Sequence, residues 1–264
     1  MDSEFPWVVS IQGIIADCLQ TNPCFLYKIV APLETQVIKK AKYVGGRTNY
    51  DKKYIQKVNP NATIIDLPEA MNECFFEKPW SDQKNQKIVF VGSGDKRKGL
   101  HRLINATEFI SEQFANLKLE VVGKVSPEQQ TQFKNQAKKE KIKINFLGFK
   151  KSEEIAKLHR ECSLFVIPSE NENSPNTLAE AMASGMPVIA YNVGGISSMI
   201  EDKKSGLLVE FGNTKKLAET IKMVLTNSNL RQNLGYNARI AAERNKPEHV
   251  AKITLEAYEK ILSN

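Results

Sequence analysis

The sequence predicts an α/β protein whose larger part is a doubly wound parallel sheet, and two observations carry that expectation. From about Lys87 onward, apolar runs of strand length alternate with longer stretches of helical periodicity, joined by short connections. Gly92, Gly123, Gly148, Glu172 and Gly194 all fall in the loops at the carboxyl ends of those runs. In such sheets ligands bind outside the carboxyl ends of the strands, so five independent loops converge on one edge.

Taken in order, residues 1 to 84 hold three strand-like segments, Trp7 to Ile11, Lys42 to Val44 and Thr63 to Ile65, separated by helical stretches. This is too little for a complete second domain. Glu77 to Gln86, with Pro79, Ser81, Asp82 and Asn85, reads as a polar linker. The strands expected next are Lys87 to Val91, Lys118 to Val122, Lys143 to Leu147, Leu164 to Ile167, Val188 to Ala190 and Leu207 to Val209. Helices are expected near 99 to 114, 127 to 140 and 152 to 160, with another opening at Ser174. Beyond Val209 the pattern is helical over Thr214 to Thr226, Ser228 to Arg244 and Pro247 to Leu262. The expected division is a partial amino-terminal domain (1–84), a complete nucleotide-binding domain (85–246) and a last helix (247–264) crossing back to the first.

Composition narrows the function classes. A chain of 264 residues with 41% hydrophobic content can bury one or two cores, which excludes disordered and fibrous classes. Lysine and arginine number 37 against 30 acids, a net charge of +7. That balance fits a phosphate-bearing substrate, an anionic membrane surface, or simply solubilising lysines. There is no arginine-rich tract, ribonucleoprotein pattern or zinc-finger spacing, so nucleic acid is not an expected partner. The acidic start MDSEF lacks the order of a secretory signal, and no apolar run approaches the roughly 20 residues that span a bilayer. A cytoplasmic protein is expected, with peripheral attachment to the membrane face left open. The four cysteines, Cys18, Cys24, Cys74 and Cys162, form no CxxC pair and lie near no histidine cluster, so they are expected to be reduced and mostly buried, with no metal site.

The most informative segment is Ser169 to Ala190, SENENSPNTLAEAMASGMPVIA. Leu164 to Ile167 reads as a buried strand closed by Pro168, and Ser174 with Pro175 as a helix opening in which serine caps and proline takes the first helical position. A helix amino end receives phosphate. Glu172 and Glu180, seven residues apart in between, repel phosphate but accept hydrogen bonds from neutral hydroxyls. A ligand with a diphosphate centre and hydroxylated rings at both ends fits, which describes a nucleotide sugar. The same glutamates would also complement a helix dipole without any ligand. Gly185 suits a left-handed helix cap, and Gly194 with Gly195 suits either close approach of backbone to a ligand or an ordinary turn.

Glu172-x7-Glu180, AMASGMPVIA, VGG and the upstream VFVGSGDKRKGLHRLI together resemble the nucleotide-sugar domain of family 4 retaining glycosyltransferases over roughly residues 85 to 245. A weaker resemblance places residues 1 to 84 at the tail of the acceptor-side domain. The resemblance implies a GT-B fold, two Rossmann-like domains facing across a cleft, here a complete carboxy-terminal one and a partial amino-terminal one. It implies a nucleotide diphosphate sugar as donor, no metal ion or other cofactor, and a hydroxyl acceptor in a surface glycan or glycolipid. Lys98 would contact the diphosphate beside Gly92. Asn173, Ser174, Asn176 and Thr177 would meet phosphates and sugar, Glu172 the transferred sugar and Glu180 the ribose. Gly148, Phe149 and Lys150 would run beside the base, and Gln12 would reach the cleft from the acceptor side. Lys98 and Glu172 are thus the implied catalytic pair.

The departures from that family are specific. Ser93 stands where many members have an arginine, Ser198 where many have the glutamate of GGxxE, and Gln12 where a histidine is common. Arg97 is a candidate replacement cation. The first strands of the acceptor domain do not precede Trp7, so a fragment or one part of a split enzyme, completed by a partner chain, is expected. A noncatalytic nucleotide-sugar-binding subunit is therefore carried beside the transferase reading. An epimerase of related fold ranks lower, and a dehydrogenase lowest, because no GxGxxG follows a strand.

Overall fold

The computed structural model describes residues 6–15, 25–139 and 142–263. The amino-terminal lobe contains β1 (Val8–Ser10), α1 (Phe25–Lys40), β2 (Tyr43–Gly46), α2 (Asn49–Val58) and β3 (Thr63–Asp66). Its three strands are parallel in the order β1-β2-β3. Ile11, Ile14, Ile38, Val44 and Ile55 form its core. Helix α2 starts cleanly because Thr48 and Asp51 make a reciprocal capping box.

A short helix, α3 (Cys74–Glu77), leads to the larger lobe. That lobe alternates β4 (Lys87–Val91), α4 (Leu100–Glu108), β5 (Lys118–Val122), α5 (Pro127–Lys139), β6 (Lys143–Gly148) and α6 (Ser152–Glu161). It continues with β7 (Leu164–Ile167), α7 (Asn176–Ala183), β8 (Val188–Tyr191), α8 (Ile196–Met199) and β9 (Leu207–Val209). The six strands are parallel in the order β6-β5-β4-β7-β8-β9. The order reverses between β4 and β7, which opens a crevice at their carboxyl ends. Period-2 alternation feeds a core on each face: Ile88 and Phe90 join Leu103, Ile104 and Leu119, whereas Val89 joins Phe165, Leu178 and Met182.

The chain closes with α9 (Thr214–Thr226), α10 (Ser228–Ala242) and α11 (Pro247–Leu262). Ile261 of α11 packs with Tyr43 and Ile65, so the last helix lies on the amino-terminal lobe. Two expected helices end early. After Glu108 the chain turns so that Ile110 and Phe114 enter the core, and after Ala242 it tightens into a 3₁₀ turn, Glu243–Asn245.

The segment read as a polar linker is instead fastened along its length. The Trp80 indole N–H donates to the Cys162 carbonyl at 2.8 Å, and Asn85 donates to the Glu161 carbonyl at 2.9 Å. The Asp82 carboxylate accepts from Arg231 Nε at 2.6 Å and Nη2 at 3.1 Å, while Arg231 also donates to the Val224 and Leu225 carbonyls. That guanidinium holds the Asp82 carboxyl below its ordinary pKa. Breaking a buried pair of this kind costs about 3–5 kcal/mol, because the survivor keeps an uncompensated charge. Cys74 and Cys162 are buried and unpaired, and burial pushes the Cys162 thiol up to about 12. Cys18 and Cys24 lie outside the described residues. Among the described residues no helix is long and apolar enough to cross a membrane.

Candidate functional site

The site assembles where β4 and β7 diverge. After β4 the chain forms a 3₁₀ turn, Lys96–Lys98, closed by Gly99 in the left-handed conformation at φ 77°. A Cβ at Gly99 would stand 1.9 Å from the Pro168 carbonyl oxygen, so only glycine lets this turn rest on the exit of β7. That contact sets Lys98 beside Glu172. Lys98 Nζ lies 2.6 Å from Glu172 Oε1, and Glu172 is only 7% exposed. Arg97 donates to the Asn171 carbonyl at 3.0 Å, its guanidinium 3.9 Å from Glu172 Oε2, and its own carbonyl accepts the Glu170 N–H. Arg102 pairs with Glu170 at 3.0 Å one step further out.

The glycine pair after β8 serves this loop rather than standing open to a ligand. Gly195 N–H donates to the Glu172 carbonyl at 2.9 Å. A Cβ would sit 1.9 Å from the Glu172 carbonyl oxygen at Gly194 and 1.8 Å from that of Asn173 at Gly195. The close backbone approach read from the sequence is real, but its partner is the loop carrying Glu172. Thr48 Oγ1 of the amino-terminal lobe lies 3.0 Å from the same Gly195 position, so the two lobes meet there.

Helix α7 begins at Asn176, later than the sequence suggested. Pro175 occupies the cap position with extended backbone, no side chain caps the helix, and the Ser174 hydroxyl faces the Met199 sulfur at 4.0 Å. The Leu178 and Ala179 amides bond back to the Pro175 carbonyl. The amides of Asn176 and Thr177 have no backbone partner among the described residues. They remain as donors at the positive end of the helix. Both polar atoms of the Asn173 side chain are buried without a partner among the described residues.

The two glutamates differ sharply. Glu180 stands on α7, and among the described residues its carboxylate has no hydrogen-bond or ion-pair partner. Burial pushes its pKa up to about 7. Gln12 is exposed and donates to Ser10 Oγ at 3.3 Å. Together with Gly13 and Ile14 it faces Arg97, Asn171, Glu172, Asn173 and Ser174 across a pocket of about 220 Å³ between the lobes.

The remaining predicted residues lie outside that pocket. Gly92 follows β4 and abuts Lys98, a Cβ there standing 3.7 Å from Lys98 Cβ, and its N–H is spent on the Val122 carbonyl. Gly148 ends β6, the edge strand three strands from β7, and Phe149 and Lys150 follow it. Phe149 is 85% exposed, and Lys150 pairs with Glu154 at 2.8 Å. None of them lines the pocket around Glu172. Ser93 bonds Asp95 at 2.6 Å. Sequence reading missed the Arg102–Glu170 pair, which bridges 68 positions and has no local signal. Among the described residues no group of histidine, cysteine and acidic side chains could hold a metal ion.

Two parallel α/β lobes facing across a crevice, the second larger and more complete, define a GT-B-like protein. The chain belongs to the glycosyl transferases group 1 family, whose model matches residues 72–241. A relative is the capsular polysaccharide biosynthesis glycosyltransferase CapM of Staphylococcus aureus, 30% identical over 60% of this chain and 42% of the relative. Among solved structures, sucrose-phosphate synthase from Thermosynechococcus elongatus superposes with a TM-score of 0.84 at 22% identity, covering 99% of this chain and 69% of that one. Anabaena HepE in complex with UDP-glucose gives a TM-score of 0.78 at 19% identity, covering 98% and 72%. These likenesses establish the fold. The chain spans about half the length of the curated relatives it matches.

Proposed function

We propose that this chain carries the donor half of a retaining, family 4 type glycosyltransferase, which moves a hexosyl group from a nucleotide diphosphate sugar to a hydroxyl acceptor in surface polysaccharide or glycolipid assembly. The observation that carries the reading is the Lys98–Glu172 pair, whose glutamate lines, with Asn173 and Ser174 just ahead of α7, a pocket that also presents Gln12 from the other lobe. As the sugar–phosphate bond breaks, its electron pair moves to the diphosphate oxygen. Lys98 and the free amides of Asn176 and Thr177 stabilise that growing charge. Glu172 accepts from hydroxyls of the sugar and holds the anomeric carbon in place. Glu180, in its ionised form, accepts from ribose hydroxyls. Capsule synthesis by CapM and the UDP-glucose held by HepE support the substrate class.

A second reading, a noncatalytic nucleotide-sugar-binding subunit, draws on Ser93, which binds Asp95 where the family resemblance calls for a phosphate-binding cation. Calorimetric titration with UDP, GDP and ADP and their sugar conjugates tests both. Micromolar binding of one nucleotide, lost in Glu180→Ala, together with sugar transfer lost in Lys98→Ala, supports the transferase. Binding without transfer, even when a complete acceptor lobe is supplied, favours the subunit. No binding by a folded chain overturns both.

A further inference from the structure

The opposite edge of the larger sheet carries a second charged feature. The strands β4, β5 and β6 each begin with a lysine, Lys87, Lys118 and Lys143. Register pairs Lys87 with Lys118 and Lys118 with Lys143, so the three side chains leave one face of the sheet in a row. Adjacent strands lie about 4.8 Å apart, and like charges directly opposite one another destabilise a sheet. Lys84 joins the row, and the four line an open pocket of about 290 Å³ with Asn85, Gln86 and Asn116.

Among the described residues no carboxylate forms a direct ion pair with this cluster. The carboxylates around it are committed elsewhere: Asp82 to Arg231, Glu120 to the Asn145 amide and Glu161 to Lys157. Gln86 accepts the Asn116 N–H through its side-chain oxygen. Its NH₂ group and the Asn116 side-chain amide have no partner among the described residues. The pocket therefore offers four lysine ammonium groups without a direct ion pair, and free side-chain amide donors. Three ammonium groups at strand spacing span about 10 Å, the scale of a short linear polyphosphate rather than of one phosphate.

We propose that this amino-edge pocket binds a polyphosphate group, at a site separate from the crevice that holds Lys98 and Glu172. The inference stands on the lysine register and the lack of direct ion pairs among the described residues, and it does not require the chain to be a transferase. Recognition is electrostatic, so it weakens steeply with salt.

The test is a titration of the isotopically labelled full chain with inorganic tripolyphosphate, followed by backbone amide resonances. Saturable shifts are expected at Gln86, Lys87, Lys118 and Lys143. They should persist in Lys98→Ala, which removes only the crevice response, and weaken at least tenfold in the triple variant Lys87→Gln, Lys118→Gln, Lys143→Gln. If that variant does not fold, Lys143→Gln alone, at an exposed strand start, should weaken binding severalfold. No saturable shift at this edge in the wild-type chain, or undiminished binding in a folded glutamine variant, overturns the proposal. Loss of the crevice response alone bears on the donor reading and leaves this one standing.

Discussion

The loop after β7 and the helix that follows it each carry one glutamate, and the two environments are opposites. Glu172 is buried against Lys98 at 2.6 Å, with Arg97 close behind and its own carbonyl held by Gly195. Glu180, half-buried on α7, has no hydrogen-bond or ion-pair partner among the described residues, and desolvation lifts its pKa to about 7. The contrast shows that the two carboxylates of the motif sit in different surroundings, one held in an ion pair and one without a partner, whose burial raises its pKa. The first suits a group that must hold a sugar rigidly while a bond breaks. The second suits an acceptor of hydroxyl hydrogen bonds whose strength follows ionisation.

The sharpest way to break the comparison is to remove the charge that is held. Glu172→Gln keeps the shape, yet should lower transfer about 10²- to 10³-fold, the scale of losing one aimed electrostatic contact. Nucleotide affinity should be kept or improved, because Lys98 is freed for the diphosphate. Parallel loss of affinity and turnover would assign Glu172 to ground-state binding instead.

Next comes the support beneath it. Gly195→Ala would drive a Cβ to 1.8 Å from the Asn173 carbonyl oxygen, so the loop must move. A stability loss of about 1–3 kcal/mol is expected, with transfer falling further than thermal stability alone explains. Retention of full activity at unchanged melting temperature would separate the loop from the chemistry.

Glu180 gives a smaller effect with a definite sign. Its folded pKa, about 7, lies above the ordinary 4.5, so the folded state favours the protonated form. That advantage is complete below the unfolded value and is lost as pH rises through about 7. Glu180→Gln should therefore gain thermal stability relative to the wild type between pH 5 and pH 8. Nucleotide affinity of the wild type should run the other way, rising about tenfold from pH 6 to pH 8 as the carboxylate forms, and the variant should be flat. A rise that survives in the variant would place the titrating group elsewhere.

The smallest effect is expected at Gln12, which faces Glu172 across the pocket but is exposed and bonded only to Ser10 among the described residues. Gln12→Ala should raise KM for acceptor a fewfold and leave nucleotide binding alone. A large drop in nucleotide affinity would move Gln12 to the donor side.

Much of the larger lobe was legible because its strands are short runs of apolar, largely β-branched residues between turn signals, as in Lys87–Val91 and Leu164–Ile167. The start of α7 lies one residue later than the sequence suggested. Local capping rules assign Ser174 and Pro175 to a cap and a first turn, whereas the tertiary fold turns the serine toward Met199 and makes Pro175 the cap. The linker was misread for a related reason. Glu77 to Gln86 has the composition of a free connection, and its anchors, Cys162 and Arg231, lie far along the chain.

Period and turn chemistry are local properties, and they were enough to determine a doubly wound α/β lobe with a glutamate on either side of a helix start. Distance and solvation depend on which distant segments pack together. Only the tertiary structure could decide that Lys98 reaches Glu172 across 74 positions, that glycine at 99 and 195 lets loops rest on one another, and that Glu180 is left without a counter-charge.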